Sequence, residues 1–324
     1  MITETTTSKA TSINLSFAAS SVLMVRPVNF EYNEQTALTN YFMDKLTRHQ
    51  KVHPKALREF DNFVDLLVKN GVDVITVDAR LNPPSPDSIF PNNWISTHDN
   101  GTVFLYPMEA ENRRIERRED IINILKERFK VQNIVDLSNY EQQEYYLEGT
   151  GSMVLDRKNR IAYACLSSRT SEIVLNDFCQ KSGYHSFTFE AFDNKGKPIY
   201  HTNVMMSIGL DYAVICKESI HDDSKAENII KELVQSGKKI IEISREQINH
   251  FAGNILQLSS KTGEQLLVMS EEAYKSFTPS QISQLEKHGR CIFSPLYTIE
   301  TVGGGSARCM IAEIFLEPKE QLQI

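Results

Sequence analysis

Four stretches of the chain repeat one order of hydrophobic and polar positions. Two short apolar runs joined by a polar turn come first, then a segment with helical periodicity, then one more apolar run. In the first stretch the turn is Asp99-Asn100-Gly101, the helical segment spans residues 112–129, and the last run is NIVDL. Alternating runs predict strands and a period of 3.6 predicts a helix, so each stretch predicts a ββαβ unit.

The same order recurs over residues 150–191, 203–244 and 253–294, and a fifth unit forms only if the two ends of the chain meet. RCMIAEIFL near the end and SVLMVRP near the start would then pair as a hairpin, followed by a helix over residues 55–71 and the strand VDVITV. The sequence therefore predicts an α/β fold in which five units close a ring, a five-bladed α/β propeller around a pseudo-fivefold axis. The alternative is a mixed sheet in which the regular spacing is a coincidence.

Composition and net charge limit the classes of molecule that the protein is expected to bind. The 324 residues carry a net charge of −7 without a long run of one sign, which argues against nucleic acid or an anionic membrane surface and favours a small molecule. No run approaches the roughly 20 apolar residues of a membrane helix. Residues 1–20 are polar and predict a disordered tail, followed by a single domain over residues 21–318. The oligomeric state is left open, with a homo-oligomer as one alternative.

The five cysteines are scattered, odd in number and without a C-x-x-C pair. A disulfide framework is therefore not expected, and the sequence predicts a reducing compartment, the cytoplasm. No pair of histidines has metal-ligand spacing, so we expect neither a metal ion nor a cofactor. Three histidines in turns or at helix ends are predicted to lie on the surface: His98, His221 and His288.

In a ring, the residues that lead into successive hairpins converge near the axis, and three of these positions hold Cys309, His201 and Glu148. A thiolate is the nucleophilic form of cysteine, an imidazole can shuttle protons, and a carboxylate can orient that imidazole. Each residue alone also has a structural explanation, because buried cysteines commonly act as small hydrophobic side chains and single histidines or glutamates are commonly solvated. Together the three indicate a nucleophilic cysteine site.

Four motifs resemble those of one known family. LEGTGSMVLD around Glu148, YHTNVMMSIG around His201, FAGNILQL around Asn254 and GGGSARCM around Cys309 are similar to motifs of the guanidino-group-modifying superfamily. That superfamily has the five-bladed pentein fold and includes arginine deiminases, dimethylarginine hydrolases and amidinotransferases. The resemblance runs from about residue 21 to 317. It implies that Cys309 is the nucleophile, His201 the general acid and base, Glu148 its carboxylate partner, and Asn254 a substrate-binding residue.

The resemblance also implies a clamp for a substrate carboxylate. SSRTSEI resembles the stretch in which dimethylarginine hydrolases place an arginine on that carboxylate, which indicates Arg169, and NRRIERRE indicates Arg113. The planar guanidinium fork of arginine matches a carboxylate. For Arg113 the alternative is a solvated helix face, because charges of both signs alternate around it.

One departure from the superfamily concerns the substrate head group. Where guanidino hydrolases place acids, this chain has Asn92 and Asn93, and of that set of acids only Asp87 remains. A desolvated guanidinium needs negative charge beside it, whereas an amide offers the donor and the acceptor that match a ureido group.

The sequence as a whole is most similar to the branch that hydrolyses citrulline to ornithine, carbon dioxide and ammonia, so it predicts a citrulline hydrolase. The alternatives are hydrolysis of arginine or a methylated arginine, an amidinotransferase, and a non-catalytic propeller that binds a partner. The last alternative expects at least one of the three chemical residues to be missing, and none is.

Overall fold

The computed structural model describes residues 17–47 and 51–319, which contain fifteen strands and ten α-helices. The strands are β1 (Ser21–Arg26), β2 (Asp73–Asp78), β3 (Ile95–Thr97), β4 (Thr102–Leu105), β5 (Asn133–Asp136), β6 (Met153–Asp156), β7 (Ile161–Cys165), β8 (His185–Phe189), β9 (Met206–Ile208), β10 (Tyr212–Ile215), β11 (Lys239–Glu242), β12 (Leu256–Ser259), β13 (Gln265–Ser270), β14 (Arg290–Ser294) and β15 (Ala312–Ile314).

The α-helices are α1 (His53–Lys69), α2 (Glu119–Arg128), α3 (Gly149–Ser152), α4 (Glu172–Ser182), α5 (Thr202–Met205), α6 (Asp223–Gln235), α7 (Arg245–Asn249), α8 (Glu271–Ser276), α9 (Pro279–Leu285) and α10 (Tyr297–Gly303). Short 3₁₀ helices lie at Thr36–Leu38, Lys45–Thr47, Pro91–Asn93, Glu111–Glu116, Ser138–Gln143 and Lys217–Ser219. Within the described residues, no helix combines the length and the apolar character that crossing a membrane requires.

The strands form five separate three-stranded sheets with one shared topology. In each sheet a first strand pairs antiparallel with the central strand, and the central strand pairs parallel with a third strand that follows a helix. The sheets are β3-β4-β5, β6-β7-β8, β9-β10-β11, β12-β13-β14 and β15-β1-β2. These sheets fit the five predicted ββαβ units, and the fifth joins the two ends of the chain, with Val22 opposite Glu313.

The helix of the fifth unit shows why these segments fold as predicted. In α1 the apolar positions Ala56, Phe60, Phe63 and Leu67 recur every three or four residues, and all four side chains are fully buried. They pack in one cluster with residues of β12, β13 and β14. Burial of an aromatic side chain of this size contributes about 1.5–3 kcal/mol, so tertiary packing rather than helix propensity holds α1 in place.

The first strands of neighbouring units lie beside each other. β15 contacts β3, β6 contacts β9, and β9 contacts β12. The Thr97 hydroxyl in β3 donates to the Glu313 carbonyl in β15 at 3.1 Å and accepts from the backbone N–H of Phe315 at 2.8 Å. The segments that precede these first strands are therefore brought together, as the sequence predicts for residues that lead into the hairpins.

Two predicted helices are each divided in the structure. The segment 112–129 forms the 3₁₀ helix Glu111–Glu116 and then α2, because Arg113 and Glu116 turn inward and are buried as an ion pair. The alternative of a solvated helix face is therefore wrong at Arg113. The segment 271–289 divides into α8 and α9 at Thr278, whose side chain caps α9 ahead of Pro279.

Two sequence expectations about exposure need correction. Of the predicted tail, residues 1–16 lie outside the described residues, but Ala18 and Ala19 are buried and the Ala19 carbonyl accepts from the backbone N–H of Ser259. His98 is buried rather than on the surface, since its ring packs against Phe104 and accepts or donates a hydrogen bond at Ser96. Because a polar turn directly follows His98, the sequence alone predicted that this residue is exposed.

Candidate active site

The segments before the first strands line a small pocket, here called the Cys309 cavity, whose empty space is about 260 Å³ including the part open to solvent. Its wall is formed by Thr36, Asn40, Asp87, Phe90, Asn93, Arg113, Arg169, Tyr200, His201, Gly303, Gly305 and Cys309. Of the nine site residues predicted from the sequence, six line this cavity. Glu148, Asn92 and Asn254 lie directly behind it, in contact with residues of its wall.

The glycine-rich turn that follows α10 brings Cys309 to the cavity. Gly304 ends the helix in the left-handed region with φ of 63°, a conformation that favours glycine. A Cβ atom on Gly303 or Gly305 would lie 2.9 Å from the Phe90 ring. The Tyr200 hydroxyl donates to the Gly304 carbonyl at 2.8 Å, so the turn is held close to the cavity wall rather than loose.

Cys309 is buried, with 4% of the residue exposed, and its thiol faces two amide side chains. Asn254 Nδ2 donates to Sγ at 3.2 Å and Asn203 Nδ2 donates at 3.5 Å. Asn254 is itself fixed, because its Oδ1 accepts from the backbone N–H of Arg308 at 3.1 Å. The two amide groups hold Sγ in place at the cavity wall. The sequence indicated Asn254 but not Asn203, although Asn203 stands two residues after His201 in the same motif.

The buried pair of His201 and Glu148 forms the second part of the site. His201 Nε2 lies 2.9 Å from Glu148 Oε2, and the backbone N–H of Glu109 donates to the other carboxylate oxygen at 3.1 Å. Burial favours the neutral form of Glu148, but the Arg169 guanidinium and the hydrogen bond from His201 outweigh it and hold the pKa of Glu148 well below its usual value. Glu148 is therefore ionised.

The tautomer of His201 follows from this charge. An ionised carboxylate only accepts hydrogen bonds, so Nε2 carries the proton and Nδ1 presents a lone pair. Burial lowers the pKa of His201 to about 4 despite the opposing effect of Glu148, so the ring is neutral at pH 7. A Cβ atom on Gly151 would lie 2.7 Å from Nδ1, so glycine at this position keeps the basic nitrogen uncovered.

Arg169 is buried with most of its N–H groups already paired. Nη2 donates to the Thr36 carbonyl at 2.7 Å and to the Thr39 hydroxyl at 2.8 Å, while Nε donates to Thr39 and to Glu109. Nη1 lies 3.5 Å from Glu148 Oε2. The fork predicted to hold a substrate carboxylate thus holds the segment 36–39 against the cavity, and its role toward the substrate stays a prediction.

Arg113 fixes the orientation of the Asn93 amide. Its guanidinium pairs with both carboxylate oxygens of Glu116, at 3.0 and 2.8 Å, and Nη1 donates to Asn93 Oδ1 at 2.8 Å. Asn93 Nδ2 in turn donates to Asn92 Oδ1 at 3.2 Å, and Asn92 Nδ2 donates to the Thr150 hydroxyl. Asn93 therefore faces the cavity, with Asn92 behind it and Arg113 as the anchor of its oxygen.

Asp87 brings a partly unpaired carboxylate to the cavity. Oδ2 accepts from Asn33 Nδ2 and from the Thr36 hydroxyl, both at 2.8 Å, whereas Oδ1 is buried and has no hydrogen-bond partner among the described residues. A buried acceptor without a partner is costly unless a ligand or water satisfies it. Oδ1 is therefore positioned to accept from a bound molecule that carries N–H groups.

An irregular segment that sequence reasoning missed completes the wall. Asn33, Thr36, Thr39 and Asn40 lie between β1 and α1 and contact Asp87, Arg169 and the carbonyls of Gly303 and Gly304. Over the described residues, no group of three or more His, Cys, Asp or Glu side chains is arranged to hold a metal ion. The site thus combines an amide-flanked thiol, a neutral imidazole on an ionised carboxylate, and donors and acceptors for a polar substrate.

Comparison with known proteins identifies the family of the chain. The family model for eukaryotic N,N dimethylarginine dimethylhydrolase matches residues 26–316. The chain belongs to this family. Membership confirms the predicted guanidino-group-modifying superfamily, and the chain is homologous to hydrolases that act on guanidino carbon–nitrogen bonds. No curated protein sequence matches the chain.

Solved structures share the fold of this family member. ArgZ, an arginine dihydrolase from the ornithine–ammonia cycle in cyanobacteria, superposes with a TM-score of 0.71 at 16% identity over 92% of this chain and 41% of ArgZ. Its N-terminal domain bound to substrate gives 0.70 at 17% identity, over 91% and 99% of the two chains. A dimethylarginine dimethylaminohydrolase adduct with S-methyl-L-thiocitrulline gives 0.61 at 14% identity, over 91% and 99%. The chain thus spans less than half of full-length ArgZ, and likeness at these identities shows the fold alone.

Proposed function

We propose that the chain is a cytoplasmic citrulline hydrolase, built as a single catalytic domain over residues 21–318 whose five units close into a propeller ring. The products are ornithine, carbon dioxide and ammonia. The fold and the family support a hydrolase of the guanidino-modifying type. The choice of a ureido substrate depends on the Asn93 amide.

The Asn93 amide offers a donor where a ureido group has an acceptor. Because Arg113 holds Oδ1 and Asn92 takes only one N–H of Nδ2, the second N–H has no acceptor among the described residues. A ureido head group carries a carbonyl oxygen that can accept this hydrogen bond. A guanidinium carries only donors and would meet the Asn93 N–H with an N–H of its own. This single observation favours citrulline over arginine.

Attack by Cys309 begins the reaction. The His201 Nδ1 lone pair takes the thiol proton, and the resulting imidazolium is stabilised by the Glu148 carboxylate. The thiolate then forms a carbon–sulfur bond to the ureido carbon. Charge develops on the ureido oxygen as the carbonyl π bond opens, and the Asn93 N–H stabilises it. Asp87 Oδ1 accepts from a substrate N–H, which holds the head group against Cys309.

Collapse of this intermediate releases an amine. The imidazolium of His201 protonates the departing nitrogen, the carbon–nitrogen bond breaks, and a thiocarbamate on Cys309 is left. Water then adds to the thiocarbamate carbon while His201 accepts its proton, and the thiol leaves. The released carbamate decomposes to carbon dioxide and the second amine. Release of either nitrogen first gives the same three products.

A second candidate function is hydrolysis of arginine or a methylated arginine. The buried Asp87 Oδ1 is the observation in its favour, because a carboxylate oxygen without a partner also suits a guanidinium. Family membership is compatible with it as well. Both functions use Cys309, His201 and Glu148 in the same roles, so only the head-group contacts separate them.

A substrate screen before and after one substitution separates the two functions. Purified wild type is assayed on citrulline, arginine and dimethylarginine, and the screen is repeated with Asn93→Asp. We expect the wild type to prefer citrulline. The substitution removes the amide donor and adds a charge, so citrulline turnover should fall sharply while affinity for arginine rises.

Two controls accompany this screen. Asn228→Asp adds the same charge on the exposed face of α6 and should leave selectivity unchanged. Cys309→Ala should be inactive on every substrate yet still bind citrulline. A wild type that prefers a guanidino substrate, or an Asn93→Asp variant with unchanged selectivity, contradicts the citrulline assignment. Turnover that increases with an added amine would indicate an amidinotransferase instead.

A further inference from the structure

A second polar pocket lies at the opposite end of the first strands from the Cys309 cavity. The chemical residues of the candidate active site precede β6, β9 and β15, whereas most residues that line this pocket lie within β6, β9, β12 and β15 or directly after β6 and β9. The exceptions are Phe17, Ile255 and Arg308, and the empty space of the pocket is about 470 Å³ including the part open to solvent. It shares no lining residue with the Cys309 cavity. We call it the Arg157 pocket, after the arginine that follows β6.

The charges of the Arg157 pocket do not balance. Its charged lining residues are Arg157, Arg308 and Glu313, so two cations face one anion. Both guanidinium groups approach the same oxygen of Glu313, Arg308 at 3.0 Å and Arg157 at 3.6 Å. Burial lowers the pKa of Arg308, and Glu313 only partly offsets this effect. The two arginines thus share one carboxylate, and the lining of the pocket carries a net charge of +1.

Arg157 has N–H groups that do not donate to any of the described residues. Its guanidinium stacks over the Phe315 ring at 3.8 Å, which fixes its plane, and Nη1 donates to the Thr97 carbonyl at 3.2 Å. Its Nε has no acceptor among the described residues. The Ser207 hydroxyl also lines the pocket and is buried without a hydrogen-bond partner in that part of the chain. A stacked guanidinium edge and a free hydroxyl form a donor set for an anion.

We propose that the Arg157 pocket binds a small carboxylate anion, with the Arg157 edge on its two oxygens and the Ser207 hydroxyl as a further donor. A carboxylate carries the one negative charge that is missing, and its planar oxygens match the guanidinium fork. A phosphate group would bring more charge than the pocket lacks. Because Arg308 directly precedes Cys309, such a ligand would sit on the far side of the turn that carries the thiol.

The test measures thermal unfolding of the full chain in increasing acetate, with chloride replacing it at constant ionic strength. A ligand that binds only the folded state raises the Tm with its concentration. We expect acetate to raise the Tm of the wild type and Arg157→Gln to weaken the response at least about tenfold in apparent Kd. Arg160→Gln is the matched control, because Arg160 lies three residues further on and pairs with Asp99 outside the pocket.

Two further variants keep the test decisive. Ser207→Ala removes one donor with little loss of packing, and it should weaken acetate binding even if Arg157→Gln folds poorly. Arg169→Ala should retain the full response, which separates this pocket from the Cys309 cavity. The proposal is overturned if acetate has no effect on wild type, if phosphate at equal ionic strength is the stronger ligand, or if Arg169→Ala rather than Arg157→Gln removes the response.

Discussion

Two buried glutamates near the Cys309 turn have pKa values that are shifted in opposite directions. Glu148 is fully buried between Arg169 and His201, and these partners keep it ionised. Glu300, in α10, is 3% exposed and accepts from the Ser306 hydroxyl at 2.6 Å, while its other oxygen has no partner among the described residues. Burial raises the pKa of Glu300 to about 7, and hydrogen bonds from hydroxyl groups lower it too little to compensate.

The difference shows that burial alone does not decide the state of a carboxylate. Both side chains are removed from water, but only Glu148 has a cation beside it, whereas the charged neighbours of Glu300 are the acids Glu272 and Glu59. An ionised carboxylate can stabilise a charged imidazole. A carboxyl group that is neutral through much of the acid range can hold the turn, because Ser306 carries the carbonyl that accepts from the Cys309 backbone N–H. The sequence shows two glutamates and cannot distinguish these roles.

Glu148→Gln removes the charge of the ionised glutamate. Its effect on turnover should be the largest among the substitutions that test this comparison. The amide keeps the shape but cannot stabilise the His201 imidazolium, so turnover should fall by about 10²–10⁴-fold. Arg169 also loses a buried partner, at a cost of up to about 3–5 kcal/mol in the free energy of unfolding. Steady-state kinetics and urea unfolding at pH 7 measure both effects.

The pH dependence of this variant provides its control. A carboxylate with a lowered folded pKa adds stability above its unfolded pKa of about 4.3 and loses it as the pH falls toward the folded value. The stability difference between wild type and Glu148→Gln should therefore shrink in acid. A difference that is the same at pH 7 and pH 3 would show that lost packing, not lost charge, causes it.

Arg169→Ala removes the cation and makes the surroundings of Glu148 resemble those of Glu300. If Arg169 binds the substrate carboxylate, KM for citrulline should rise by the equivalent of roughly 2–5 kcal/mol. A citrulline analogue without the α-carboxylate should be a poor substrate for wild type and little affected by the substitution. If the analogue loses as much as citrulline does, Arg169 holds the segment 36–39 rather than the substrate.

Gly151→Ala leaves both glutamates in place and tests the positions of the Asn93 and His201 side chains. The new methyl group would lie 2.5 Å from Asn93 Nδ2 and 2.7 Å from His201 Nδ1, so one of these side chains must shift. A shift of about 1 Å in a reacting group costs on the order of 10²-fold in turnover. Gly196→Ala is the control, because a Cβ there meets nothing within 4 Å and its φ of 71° affects only stability. Unchanged turnover in Gly151→Ala would exclude His201 Nδ1 as the reacting atom.

Glu300→Gln should have the smallest effect on turnover and a distinct effect on stability. A carboxyl group with a raised folded pKa contributes stability that is present below about pH 4.3 and is lost as the pH rises through about 7. The amide stays neutral, so the variant should gain about 1–3 kcal/mol relative to wild type between pH 5 and pH 8. Thermal unfolding across this range checks the sign, and a relative loss at pH 8 would mean that Glu300 is ionised and needed.

The sequence was sufficient for the parts of the fold that are set by periodicity. Five repeats of alternating and helical patterns correspond to five sheets, and the turn at Asp99-Asn100-Gly101 lies between β3 and β4. The clustering of Cys309, His201 and Glu148 followed from the repeat, because equivalent positions of neighbouring units meet in space. The motifs also indicated Asn254, although its contact is with the Cys309 sulfur.

The rest depends on contacts between distant segments that leave no periodic signal. Asn33, Thr36 and Asn40 stand in an irregular segment, and only the folded chain shows them beside Asp87 and the glycine turn. The alternating charges of residues 112–119 looked like a solvated helix face, whereas the Arg113–Glu116 pair is buried. Alternating charges indicate solvent exposure only where the charged side chains have no buried partner. The pattern does not show that Arg113 pairs with Glu116 in the interior.

Because β15 pairs with β1, this sheet forms later during synthesis than the other four. Four of the sheets are complete as soon as their own consecutive segments leave the ribosome. The sheet β15-β1-β2 must wait for the last of the described strands, so β1 keeps an unpaired edge throughout elongation. The same final segment carries Cys309. A nascent or prematurely terminated chain therefore lacks both the strand that covers this edge and the proposed nucleophile, so we expect an incomplete product to lack activity and to expose an edge through which chains can associate.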